Sequence, residues 1–148
     1  MRYLQTVFCD DIRHEVAGKL SYIGVYGPQL FVPSFPITLP KLCLTVRVVT
    51  PAAQPFRVLT FRILKGDTQL AEATLEDADL ASVADAIGSS STDEHANRMQ
   101  VLEAIFVFSP FLIDEPCSLR VQATTEAGDL RGLGLKIEQT PSGAAASH

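Results

Sequence analysis

The chain has no tryptophan and only three cysteines, Cys9, Cys43 and Cys117. That odd number, widely spaced and without a C-x-x-C pair, makes neither a disulfide framework nor a zinc site. Cys43 and Cys117 sit within or beside apolar strand patterns, so they read as buried reduced thiols, with no intramolecular disulfide and no bound zinc expected. Basic residues are scarce: 12 Lys and Arg stand against 17 Asp and Glu, for a net charge of −5. This balance argues against a nucleic-acid groove or an anionic membrane surface, both of which need a basic face. No apolar run approaches the roughly 18 residues of a membrane span, and Gln5 and Thr6 interrupt the only candidate leader. The expected location is therefore the cytoplasm. G-x-S-x-G elbows, EF-hand spacing, phosphate loops and internal repeats are all missing.

What is present is alternation. At 148 residues and 47 % hydrophobic composition, the chain is long enough for one domain with a real core. Residues 119–137 carry the clearest pattern. Leu119, Val121, Ala123 and Thr125 alternate with Arg120, Gln122, Thr124 and Glu126. After Ala127, Gly128 and Asp129, a second run places Leu133, Leu135 and Ile137 on one side. Two period-2 runs joined by a short Gly-containing link predict a hairpin with one dry face, which needs a second apolar layer.

The rest of the chain supplies that layer. Strands are expected over residues 2–9, 20–26, 42–48, 56–65, 68–75 and 98–108, with residues 30–32 continuing into a neighbouring sheet beyond the Gly27–Pro28 break. Residues 10–19 read as a polar connection and 110–116 as a bend. Residues 42–48 read as half buried. Residues 98–108 are apolar on both faces and so read as a central, doubly covered strand. Leu44, Val46, Phe61, Ile105, Val121 and Leu135 are expected to share one core. Leu80, Val83, Ala84 and Ile87 have helical spacing, and Gly88 to His95 reads as an exposed loop, so residues 77–97 look like an insertion of one short helix or loop. The fold expected is all-β: an antiparallel β-sandwich of about eight strands, immunoglobulin-like or C2-like. One domain would span residues 1–139, followed by a disordered tail over 140–148.

Cys9-Asp10, Gly18-Lys19-Leu20-Ser21, Gly24-Val25-Tyr26 and Phe35-Pro36, taken together, resemble the opening of a family of small uncharacterised bacterial proteins. The resemblance implies an immunoglobulin-like sandwich and brings neither an activity nor catalytic residues.

Three constellations invite a chemical reading. Asp10, Asp11, His14 and Glu15 could ligate a metal through carboxylate and imidazole, and they equally make an ordinary polar turn. Asp77, Asp79, Asp85, Asp93 and Glu94 resemble the acidic loops of calcium-dependent C2 domains, but without the ligand spacing that calcium requires they read as a solvated loop. Ser89, Ser90 and Ser91 lie near His95, yet a Ser-rich loop gives a nucleophile no rigid base or oxyanion hole. No cofactor is called for. The expectation is a non-enzymatic binding or assembly module that meets a protein partner, or a second copy of itself, through a sheet edge or loops. The alternative is a small hydrolase or metal-dependent enzyme built on the Asp10 to Glu15 cluster. Residues 20–32 contain no charge, so an edge position for them would leave a strand open to pairing.

Overall fold

The computed structural model describes residues 1–75 and 98–141. The helix and loop expected within 77–97, with their acidic and Ser–His clusters, lie outside the described residues. So does the tail beyond residue 141. The described chain is all-β, with twelve strands and one three-residue 3-10 turn at Val16–Gly18.

Two sheets form the sandwich. The first contains β1 (Tyr3–His14), β2 (Leu20–Val25), β5 (Leu42–Pro51) and β8 (Met99–Phe108), in the order β2-β1-β5-β8. The second contains β3 (Gln29–Val32), β6 (Leu59–Lys65), β7 (Thr68–Leu75), β10 (Cys117–Thr125), β11 (Gly128–Arg131) and β12 (Leu135–Gln139). Its order is β3-β12-β10-β6-β7, with β11 also pairing with β10. β4 (Ile37–Leu39) and β9 (Phe111–Ile113) pair separately, and Phe111 and Ile113 join the core. The residues expected to bend at 110–116 therefore include a short strand. That strand exists because Phe111 and Ile113 point the same way and bury, while Leu112 between them stays exposed.

The core follows the alternation. Leu42, Leu44, Val46 and Val48 of the first sheet meet Leu59, Phe61, Ile63, Leu119, Val121, Ala123, Leu135 and Ile137 of the second. In register, Leu119 faces Leu135, Val121 faces Ile63, and Ala123 faces Phe61. Burying each aliphatic side chain of this size contributes about 1.5–3 kcal/mol.

Several expectations are corrected. The doubly covered strand is β5, not 98–108: Cys43, Thr45 and Val49 are buried alongside the inward residues, so β5 is more than half buried. β8 is the terminal strand of its sheet among the described residues, and its Val101 and Val107 remain half exposed. Its β-branched residues favour an extended strand without needing burial on both faces. Ile105 sits opposite Thr45 and lies outside the buried core that takes Leu44, Val46, Phe61, Val121 and Leu135. Residues 10–14 extend β1 instead of forming a connection, because backbone pairing to β2 holds a strand whose side chains need no core. One pair, β3 with β12, is parallel.

The closing hairpin also differs. β11 ends at Arg131 and β12 starts at Leu135, so the expected second strand is interrupted over 132–134. Leu133, expected on the dry face, is 80 % exposed. The two glycines permit close approach: a Cβ on Gly134 would strike the Leu119 carbonyl oxygen, and one on Gly132 would come within 2.7 Å of the Thr6 methyl. The interruption brings the Leu133 carbonyl to the Thr6 hydroxyl of β1 before β12 resumes pairing with β10.

Leu135→Ala is expected to lower unfolding free energy by about 2–5 kcal/mol in urea denaturation, as truncations of buried leucines do. Ile105→Ala should lower it distinctly less, and equal losses would contradict this assignment of the core.

Candidate functional site

β2 and β3 bring the uncharged part of the chain to one flank. Each is the terminal strand of its sheet among the described residues, and the short link Tyr26-Gly27-Pro28 carries the chain from one sheet to the other. Residues 20–40 contain no Asp, Glu, Lys, Arg or His. Ile23 is 45 % exposed, Val25 59 % and Phe31 46 %. The edges of the opposite flank carry charge. Glu72 on β7 pairs with Arg62 at 3.1 Å, and Glu103 on β8 pairs with Arg47 at 2.8 Å.

A groove of about 430 Å³ opens beside this flank, lined by Thr6, Val7 and Phe8 of β1, by residues 25–28, and by Leu133 and Gly134. Its shape follows from how β1 is paired. β5 covers residues 3–9 on one side, whereas β2 covers only residues 9–14 on the other. β2 then departs, and the last backbone bond between them runs from the Tyr26 N–H to the Phe8 carbonyl at 2.8 Å. The far wall is the 132–134 segment, held by a bond from the Thr6 hydroxyl to the Leu133 carbonyl.

Tyr26 lines the groove and is held from outside the lining by Asp10. The Tyr26 hydroxyl donates to the Asp10 carboxylate, and the carboxylate rests on the bare Cα of Gly24. Gly24 has φ +67°, and a Cβ there would collide with Asp10, so glycine is required twice over. Burial, followed by this bond to a carboxylate, pushes the Tyr26 phenol well above its ordinary range. The phenol therefore remains a donor and is no base at neutral pH. The pattern Cys9-Asp10 with Gly24-Val25-Tyr26 thus has a physical basis, since pairing of β1 and β2 sets Cys9 opposite Val25.

The proposed metal ligands do not converge. Asp10 is engaged by Tyr26. Asp11 accepts from Lys41 Nζ at 2.7 Å and from the Ile12 N–H at 2.9 Å, and the Lys41 bond holds its carboxyl below the usual range. His14 is exposed at the end of β1 opposite Leu20, and Glu15 lies 3.5 Å from Arg13 Nε. Among the described residues, no group of three or more His, Cys, Asp or Glu side chains is placed to hold a metal ion. Nor was the nearest thiol neighbour legible in the sequence: Cys43 lies across from Cys9, not Cys117. Burial raises both thiols, which keeps them protonated and poorly nucleophilic.

The larger cavity, about 620 Å³, lies at another place, among Arg2, Gln54, Arg57, Glu126 and Asp129. Its main charges are already used. Arg2 donates to Thr50, to the carbonyls of Gln54 and Pro55, and to both oxygens of Glu126, and its guanidinium lies 4.5 Å from the Phe56 ring centre. Glu126 also accepts from the Arg57 N–H at 3.0 Å. This is a clamp joining the chain start to two loops.

Residues 4–137 match the sequence profile of DUF6941, a family of unknown function. The chain belongs to the DUF6941 family. No curated protein and no solved structure matches it. The motif residues Cys9, Asp10 and Gly24 to Tyr26 all fall within the span matched by the family.

Two outcomes are expected. Gly24→Ala should destabilise the fold by about 1–3 kcal/mol through backbone strain, and more if Asp10 cannot move. Glu126 is held down to about 2 from an ordinary 4.5, chiefly by its bond to Arg2. Its stabilising contribution is therefore complete above about pH 4.5 and lost as pH falls toward 2. Acid denaturation of Glu126→Gln should show a shallower loss over that interval than the wild type, and identical pH profiles would contradict the clamp.

Proposed function

We propose that this DUF6941 chain is a non-enzymatic binding module that accepts a strand of a partner protein on its uncharged flank. The observation that carries the reading is the terminal position of β2, a strand without charge whose Ile23 and Val25 face solvent. A sheet edge offers backbone donors and acceptors in a row, and proteins ordinarily guard such edges with Lys, Glu or Pro. β2 has none of these. Strand addition uses the backbone for affinity and side-chain pockets for specificity, and the adjoining groove offers such a pocket. A net charge of −5 favours a protein partner over nucleic acid or an anionic membrane. Among the described residues, no helix is long and apolar enough to cross a membrane.

The same reading places the protein in the bacterial cytoplasm, supported by three free thiols and by the resemblance of its opening motifs to bacterial proteins. It takes the sandwich as immunoglobulin-like, supported by an edge segment that switches sheets and then runs parallel to the last strand.

A photo-crosslinking residue in place of Ile23 is expected to yield adducts in cells, whereas one in place of Gln69 on the guarded flank should not. Adduct mass separates a second copy from another protein. Absence of adducts at position 23, with the protein folded and expressed, would remove the reading.

A further inference from the structure

The groove beside Thr6 has the features of a vacant strand position. β1 is a twelve-residue strand, but on the side taken by β2 its first half has no strand partner among the described residues. The Phe8 carbonyl faces that side, because it accepts from Tyr26. Backbone groups in a ladder alternate in direction every residue, so the N–H and C=O of Thr6 point the same way, into the groove. β2 stops at Val25 and leaves for the second sheet. A segment continuing along its line would meet Thr6 next.

The lining defines what fits. None of the groove's nine residues is charged, and its apolar contributors include Val25, Pro28 and the 80 % exposed Leu133. A charged occupant would lose hydration without gaining a counter-charge. The volume of about 430 Å³ falls within the range of about 300–1,000 Å³ usual for binding pockets. A free apolar molecule could fill the space but would leave the Thr6 backbone groups unpaired. An extended polypeptide satisfies both the backbone and the apolar wall.

We propose that this slot takes one extended, uncharged segment of another protein, which pairs with the Thr6 backbone in line with β2 and lays an apolar side chain against Val25, Pro28 and Leu133. This rests on the binding-module reading and specifies where its partner lies and what the partner strand contains. The slot, not the outer edge of β2 alone, then sets sequence preference.

The test is selection of a random heptapeptide display library on the intact protein. Uncharged peptides rich in β-branched and aromatic residues are expected to be enriched. A synthetic peptide of the enriched sequence should protect the Thr6 amide from hydrogen exchange. Its affinity should fall at least tenfold in Leu133→Arg, an exposed position where the substitution leaves the fold intact by circular dichroism. No enrichment, enrichment of charged peptides, unchanged affinity in Leu133→Arg, or an unprotected Thr6 amide would each overturn the proposal. So would a wild-type dimer that Leu133→Arg converts to monomer, because the slot would then hold a second copy. Crosslinks at position 23 without library enrichment defeat the slot and leave the binding module standing. Enrichment that depends on Leu133, without crosslinks at position 23, keeps the slot and removes the outer edge of β2 as the contact.

Discussion

The packing of β5 between β1 and β8 is the interaction on which the first sheet depends. β5 contributes Leu42, Leu44, Val46 and Val48 to the sandwich interior, and Cys43, Thr45 and Val49 are buried on its other side. A strand dry on both faces cannot slip register without driving Arg47 inward, so its pairing is firmly specified. Arg47 is the exposed residue of the strand, and its guanidinium pairs with Glu103. Once β5 is fixed, β1 must lie along it over residues 3–9, and the offset of β2 along the other side of β1 follows. The groove is thus a by-product of how a rigid centre staggers its neighbours.

Much of this architecture was legible because period-2 alternation reports burial directly. Leu119, Val121 and Ala123 were identifiable as core from spacing alone, and the passage of residues 29–32 into the second sheet was signalled by Gly27–Pro28. The misreadings share one cause. Apolar content measures what a strand tolerates, not where the sheet places it. Val101 and Val107 made residues 98–108 look central, yet an outer strand can expose valines. Conversely, the polar run Asp10 to His14 looked like a connection because backbone pairing leaves no mark on side-chain composition. Leu133 failed for a different reason: glycines on both sides let the backbone leave the ladder, so its parity no longer counted.

The candidate site was legible only in part. The missing charge over residues 20–32 is a direct property of the sequence, and an edge position for that stretch was a reading open at that level. The bond between Asp10 and Tyr26 was not foreseeable, since nothing in spacing joins positions 16 apart before the hairpin register is known. Its one sequence trace was Gly24, a glycine inside a strand pattern, which marks a close approach by another group. The acidic cluster offered a metal reading and a plain polar one, and Asp11 does accept from a nearby backbone N–H, that of Ile12. Asp10 is an acceptor for a phenol, and Asp11 neutralises Lys41.

The parallel pairing of β3 with β12 bears on the order of events during synthesis. The bond from the Thr140 hydroxyl to the Val32 carbonyl joins residues 108 positions apart. Contacts of such separation form late, because the loop they close must first lose its conformational freedom. While the ribosome is still building the middle of the chain, residues 29–32 have no β12 to pair with, whereas β2 already has β1 beside it. A nascent chain at that stage displays β3 unpaired, a short uncharged β-prone segment of the kind that invites aggregation. Until β12 emerges, that segment is open to pairing with another unfinished chain.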